Sequence, residues 1–187
     1  MRGVAQIGRA FAWGAKGRRG GTGHPDQEIK MNKQKDWVSK LKEVKGLPKV
    51  TEITGKMSKR WGIGTVAIPA PIEVDEAMKT VPKGKVITIN EIREAIAKKH
   101  KASIGCPLTC GIFAWIAAHA AEQERQEGKA DITPYWRTLK TGGFLNEKYP
   151  GGGESQKKLS EKEGHKVAQK GKKYVVLEYE KSLIKFS

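Results

Sequence analysis

Apolar residues recur at helical spacing in four stretches of the chain. Trp37, Val38, Leu41 and Val44 predict a short amphipathic helix that begins near Asn32 and is ended by Gly46 and Pro48. Ile72, Val74, Ala77, Met78 and Val81 line one face of a second helix, stopped by Pro82. Thr88 followed three residues later by Glu91 reads as a capping box, and Ile92, Ala95 and Ile96 continue the apolar stripe behind it. The longest helix is expected from Pro107 to about Glu127, with Leu108, Ile112, Trp115, Ile116 and His119 as its buried face. Gly111, Ala114, Ala118 and Ala121 leave other parts of that helix almost bare. Two successive helices, the second presenting a slim surface, form the pattern of a helix-turn-helix, although packing against another helix would use the same small residues.

Between these stretches the periodicity fails. Residues 49–72 hold Gly55, Gly62, Gly64, Pro69 and Pro71 and read as linker with one strand at Thr65 to Ile68. Residues 134–153 are loop-rich, and a helix from Glu154 to Glu163 is expected to close at Gly164. Val167 to Gln169 and Tyr174 to Leu177, joined by Lys170-Gly171-Lys172-Lys173, look like a basic-tipped hairpin. The expected fold is mainly α with a small β hairpin, a winged-helix-like (helix-turn-helix) DNA-binding domain over residues 72–187. Residues 31–71 would supply an N-terminal helix and linker, and residues 1–30 a separate extension.

Charge changes the picture more than length does. The 187 residues carry 36 Lys and Arg against 20 Asp and Glu, a net +16, with a pI near 9.8. Such a surplus attracts phosphate chains by releasing their condensed counterions, which makes nucleic acid the leading partner; solubility alone is the plainer use of the same charge. No apolar run approaches the ~20 residues that a membrane span requires. Lys56, Lys59, Arg60 and Trp61 form a basic aromatic cluster that would suit a phosphate backbone, or else a Trp packed on the domain with its charged neighbours in solvent.

The first residues are unlike the rest. Through Pro25 there are five Arg or Lys and no acidic residue, interrupted by Gly20-Gly21-Thr22-Gly23. The composition fits a disordered basic arm, an organelle presequence, or an extension ahead of a start at Met31. Without residues 1–30 the balance is still 30 basic against 18 acidic residues, or +12.

Cys106 and Cys110 sit four apart at the start of the long helix and match neither a disulfide framework nor a zinc site, which points to a reducing compartment. No metal and no cofactor are expected. Cys106 precedes Pro107, so a helix dipole there could lower a thiol pKa.

An ordered series of short motifs then carries a resemblance. Val81-Pro82-Lys83-Gly84-Lys85-Val86 with Thr88, Pro134-Tyr135-Trp136-Arg137, Tyr149 with Gly151-Gly152, and Glu163-Gly164-His165 resemble, in the same order, the DNA-binding half of the alkylguanine-DNA alkyltransferases (methylated-DNA-protein cysteine methyltransferases). The likeness runs from about Ile72 to His165. The family carries Pro-Cys-His-Arg where this chain has Pro134 to Arg137, so Tyr135 stands at the acceptor cysteine and Trp136 at its activating histidine. A phenol of pKa ~10 is a poor nucleophile toward an alkyl carbon, and an indole has no basic nitrogen to relay a proton. The family's recognition-helix arginine is also missing, since no Lys or Arg falls between Ala102 and Glu124 and the nearest place holds Thr109 or Cys110. The tyrosine that opens the family's first DNA-contacting helix is replaced by Ile89.

The resemblance therefore implies an alkyltransferase-like protein that binds alkylated duplex DNA in repair without alkyl transfer. Thr88, Thr109, Cys110, Gly111, Ala114, Tyr135, Trp136, Arg137, Tyr149, Gly151 and Gly152 would face the DNA or the altered base, with Tyr135 and Trp136 as stacking surfaces. Arg137 would pair with phosphate or buttress its loop, Glu163 would support the pocket, and Lys83, Lys85, Lys172 and Lys173 would contact phosphate. Repair proteins would be further partners. A monomer is expected, in the cytoplasm or at the nucleoid, or in an organelle if residues 1–30 direct import. The alternatives are transfer to Cys106 or Cys110, and a generic winged-helix DNA binder or regulator.

Overall fold

The computed structural model describes residues 35–186, which belong to one compact unit. The expectations for the basic arm lie outside these residues. The unit is mainly helical, with three small sheets.

The first helix, α1, spans Trp37–Leu41. It is shorter than the spacing predicts because Lys45 and Gly46 turn the chain at positive φ, which leaves Val44 exposed. Asp36 caps it by accepting from the Ser39 amide at 3.0 Å. Strand β1, Lys49–Glu52, runs antiparallel to β2, Thr65–Ile68. A short helix, α2, Ser58–Trp61, lies between them. Strand β2 then pairs in parallel with β4, Ile104–Gly105, through Val66–Ile104 and Ala67–Gly105. The segment read as linker is thus tied into the same compact unit as the helices that follow it. Its hairpin is illegible in the sequence because every residue of β1 is exposed, so no apolar alternation marks it. Ile53, Val66 and Cys106 bury together beneath it.

Helix α3, Pro71–Lys79, places Val74 and Met78 in the main core. Strand β3, Ile87–Thr88, leads into α4, Ile89–Lys99, through the expected capping box. The Thr88 hydroxyl accepts from the Asn90 amide at 3.2 Å, and Glu91 accepts from the Thr88 amide at 2.9 Å. The chain then reverses through β4, where a side chain on Gly105 would come within 2.3 Å of the Arg93 carbonyl oxygen. Only glycine permits that approach.

Helix α5, Pro107–Gln126, has the expected length, but of its expected inner face only Trp115, Ile116 and His119 are half-buried, and the fully buried residues are the small ones on the other side. Cys110, Ala114, Ala117, Ala118, Ala120 and Ala121 are buried, whereas Leu108 and Ile112 are 66% and 43% exposed. The small face lets α1 and α3 pack closely on α5, so the area lost with each small side chain is recovered as close packing. Trp37 docks α1 on the side of α5 that carries Trp115, His119 and Gln123: its amide donates to Gln123 Oε1 at 2.8 Å, and its ring meets Trp115 at 4.8 Å and His119 at 4.7 Å.

Beyond α5, strand β5, Thr138–Leu139, pairs in parallel with β3. Helix α6, Gly152–Lys162, follows, and β6, Val167–Lys170, forms an antiparallel hairpin with β7, Lys173–Val176. Val86, Leu139, Leu145 and Val176 join these pieces in a second small core.

Candidate nucleic-acid interface

Residues Tyr135–Arg137 form one 3-10 turn between α5 and β5. The turn points its first aromatic ring inward: Tyr135 is 1% exposed, in edge contact with Trp136 and Tyr149 at 5.5 and 5.8 Å. Its hydroxyl donates to Glu122 Oε2 at 3.3 Å. Burial, reinforced by the Glu122 carboxylate, pushes the phenol up to about 12. Tyr135 is therefore no stacking platform. A phenol grown from this turn has nowhere to go but the core, where it fills volume beside α5.

The next two side chains converge on one carboxylate. Trp136, half-buried, donates its Nε1–H to Glu163 Oε1 at 2.8 Å. Arg137 lies across both oxygens of Glu163, and its Nη1 donates to the Val81 carbonyl at 2.6 Å. The Gly84 amide supplies a further donor at 3.2 Å, so Glu163 ties the α6 terminus to the 3-10 turn and to the turn ahead of β3. Burial raises the Glu163 carboxyl, but the bonds from Arg137, Trp136 and Gly84 outweigh it and hold the group below its ordinary value. Arg137 is committed to this pair and is not free for phosphate. Lys83 and Lys85 project from the exposed turn that Gly84 anchors.

A groove of about 970 Å³ forms the second part of the site, and Trp136, Arg137 and Glu163 do not line it. One wall is the outward face of α5, with Leu108, Gly111, Ile112 and Trp115; the other is the segment from Leu139 to Tyr149. Lys140, Lys148 and Lys173 stand in its lining. Trp115 Nε1 donates to the Lys148 carbonyl at 2.9 Å, which pins the two walls together. An apolar concavity with a few polar or charged groups at its edge is the usual form of a ligand site.

Of the residues singled out from the sequence, Gly111, Ala114, Tyr149 and Lys173 line this groove. Thr88 is buried as the α4 cap and Cys110 as core, so neither can meet DNA. Ala114 is buried too and gives the groove only part of its floor. Thr109 is not among the buried residues, yet its hydroxyl is enclosed and has no hydrogen-bond partner among the described residues. Gly151 and Gly152 make the positive-φ turn that starts α6, away from the groove lining. Lys172 is exposed in the hairpin turn.

The thiols are closed off. Cys106 and Cys110 are both buried. Burial, with the neighbouring Cys106 next, pushes Cys110 up to about 12, the reverse of an activated thiolate.

Two solved structures are similar to this chain. They are S. pombe Atl1 in complex with damaged DNA containing O6-carboxymethylguanine, at 22% identity and a TM-score of 0.41, and S. pombe ATL in complex with DNA, at 22% identity and a TM-score of 0.45. Each comparison covers 62% of this chain and 94% of the other. No protein-family model matches the chain, and no curated protein does.

Sequence reasoning misses Gln156. Wholly buried on α6, it accepts from the Asn146 amide at 2.7 Å and donates to the carbonyls of Trp136 and Thr138 at 3.2 and 3.0 Å. It thereby fixes the 3-10 turn, β5 and the groove wall at once. Gln156 and Ser160, four apart, are the buried residues of α6; an inner helix face made of polar residues is the available signal. Leu108, Ile112, Lys140 and Lys148 are also missed as groove residues, the first two because a large apolar side chain suggests burial.

Proposed function

We propose that this protein binds duplex DNA, receives an alkylated base in the groove between α5 and the Leu139–Tyr149 segment, and acts in DNA repair without accepting the alkyl group. The observation that carries this reading is the groove itself: an apolar cleft edged by Lys140, Lys148 and Lys173 on a strongly basic chain. Helices α4 and α5 serve as a helix-turn-helix and the β6–β7 hairpin as its wing. Tyr149 forms the groove floor, and Tyr135 supports that ring from behind. The absence of transfer follows from chemistry: the phenol of Tyr135 is held protonated in the core, Trp136 offers no base, and both thiols are buried. A bound lesion left unrepaired would then be passed to other repair proteins.

The burial of Tyr135 favours a second reading, a lesion-indifferent DNA binder whose aromatic turn is purely structural. Fluorescence anisotropy at fixed salt separates the two, using matched duplexes with guanine or O6-carboxymethylguanine. Tighter binding of the modified duplex is expected; equal affinity removes lesion recognition, and affinity that does not weaken as salt rises removes the electrostatic argument. Intact-mass measurement after incubation tests the chemistry, since an added alkyl group would make the protein a transferase.

A further inference from the structure

The β1–β2 hairpin carries a second charged surface that the groove does not use. Between Ile53 and Thr65 the side chains divide by destination. Ile53 is buried and Trp61 packs on it with Val66, Ile68 and Cys106. Lys56, Lys59, Arg60 and Ile63 face solvent. Lys56, Lys59 and Arg60 form no ion pair among the described residues. Ile63 is 97% exposed between Gly62 and Gly64, both at positive φ, so the backbone presents an isoleucine at a tight tip where a polar residue would be expected.

This surface is held against the helix-turn-helix. The Thr65 amide donates to the Ser103 hydroxyl at 3.1 Å, and the Ser103 amide donates to the Thr65 hydroxyl at 3.2 Å. Gly64 lies so close that a side chain there would meet Ser103 Oγ at 2.2 Å. The Cys106 amide, at the cap of α5, donates to the Ala67 carbonyl at 2.8 Å. The hairpin is thus fastened to the turn that feeds the groove helix, one residue ahead of Pro107 and Leu108, which line that end of the groove.

We propose that the Thr54–Gly64 loop is a second DNA-binding site, in which Lys56, Lys59 and Arg60 grip the phosphate backbone of the duplex flanking the groove and Ile63 rests in the adjoining groove of that duplex. The inference rests on the DNA-binding reading above. Unpaired cations on a fixed loop suit phosphate oxygens, and an exposed apolar residue beside them is the arrangement by which architectural proteins hold a DNA groove. An acidic membrane surface would share the charge complementarity, but the hydrogen bonds to Ser103 and Cys106 make the loop continuous with the groove side of the molecule, which favours one ligand spanning both.

The test uses the full chain and two duplexes, one of about 10 base pairs, a single helical turn, and one of about 30, three turns. The triple variant Lys56→Ala, Lys59→Ala, Arg60→Ala leaves Trp61 in place, and its thermal unfolding should match that of the parent. It is expected to bind the long duplex about tenfold or more weaker, with the slope of log Kd against log salt reduced by roughly 0.9 for each phosphate no longer neutralised, while affinity for the short duplex is unchanged. Ile63→Ser should weaken the long duplex alone and leave the salt slope intact. If the parent binds and the triple variant matches it on both duplexes, or weakens equally on both, the second site is wrong. Binding of the parent to phosphatidylserine vesicles that Ile63→Ser abolishes, with no effect on DNA, also overturns it. If the parent binds neither duplex, the DNA-binding reading itself is what fails.

Discussion

Arg137 and Glu163 form a forked pair in which Nε meets Oε1 and Oε2 at 3.1 and 2.9 Å and Nη2 meets Oε1 at 2.8 Å. Their side chains are 15% and 8% exposed. Removing one member strands the other charge out of water. Glu163→Ala is therefore expected to cost about 3–5 kcal/mol, read as a lower midpoint in urea unfolding. Glu163→Gln, which can still accept from Trp136 and Arg137, should cost less. A stability equal to the parent's in Glu163→Ala would show that the pair does not hold the loops.

The same carboxylate shapes the acid response, together with two histidines. Burial lowers His119 and His165 below the usual imidazole range and outweighs the Lys148 carbonyl and the Glu163 carboxylate respectively. The unfolded chain then binds more protons than the folded one just below pH ~6.5, so stability falls there as pH drops. Glu163 and Glu73 are also held low; for Glu73, burial is outweighed by Lys99, the Ala70 amide and His100. Their contribution is complete above about pH 4.3 and is lost as pH falls through the lower folded values. Thermal midpoints from pH 8 to 3 should decline in two limbs; Glu163→Gln should flatten the lower one and, by removing the carboxylate that holds His165 up, steepen the upper one.

Gln156 predicts a larger effect than its polarity suggests. Gln156→Leu removes a donor and an acceptor that satisfy three backbone groups, each buried orphan costing ~1–3 kcal/mol. The expected outcome is a drop of several kcal/mol in unfolding free energy, with weaker DNA binding because the Asn146 side of the groove loosens. Gln156→Glu should be worse than Gln156→Leu, since it adds a buried charge where two carbonyls need a donor.

The outward face of α5 yields a prediction of the opposite kind. Leu108 is largely exposed at the groove, so Leu108→Glu should leave thermal stability within ~0.5 kcal/mol of the parent and still weaken DNA binding, by repelling phosphate and wetting the apolar wall. Anisotropy on the modified duplex checks it; unchanged affinity would move the ligand away from this wall.

Thiol accessibility gives a direct check on the core. Neither Cys106 nor Cys110 should react with a thiol reagent at pH 8 in native buffer, and both should react in denaturant. Fast native labelling at either position would reopen the case for a reactive cysteine.

These residues also show what could be read in advance. The capping box of Thr88 and Glu91 and the span of α5 depend on neighbours within a few positions, and local chemistry decides them. The face of α5 depends on what packs against it. Large side chains make Leu108 and Ile112 look like core, while α1 and α3 close on the alanines. Strand β1 has no buried residue, and β5 is two residues long, so neither leaves a periodic trace. Around the groove, Tyr149 and Lys173 are legible as motif residues, but Gln156 works by joining three distant backbone groups, a relationship that no spacing along the chain records.

The inward ring of Tyr135 also bears on how readily transfer chemistry could arise here. Tyrosine and cysteine codons differ by a single base, so Tyr135→Cys is a mutation every large population samples. What it meets is a void. Loss of the ring leaves an aromatic-sized hole beside Tyr149 and takes one donor from Glu122, which keeps its pair with Arg125; the hole alone is in the range of ~3–5 kcal/mol by analogy with Phe→Ala changes, a large part of a domain's whole margin. A newborn thiol would therefore sit in a weakened protein beside a tryptophan that cannot take its proton. The interior packing acts as a ratchet: a gain in chemistry here has to be preceded by repair of the core, and selection sees the cost before it sees the benefit.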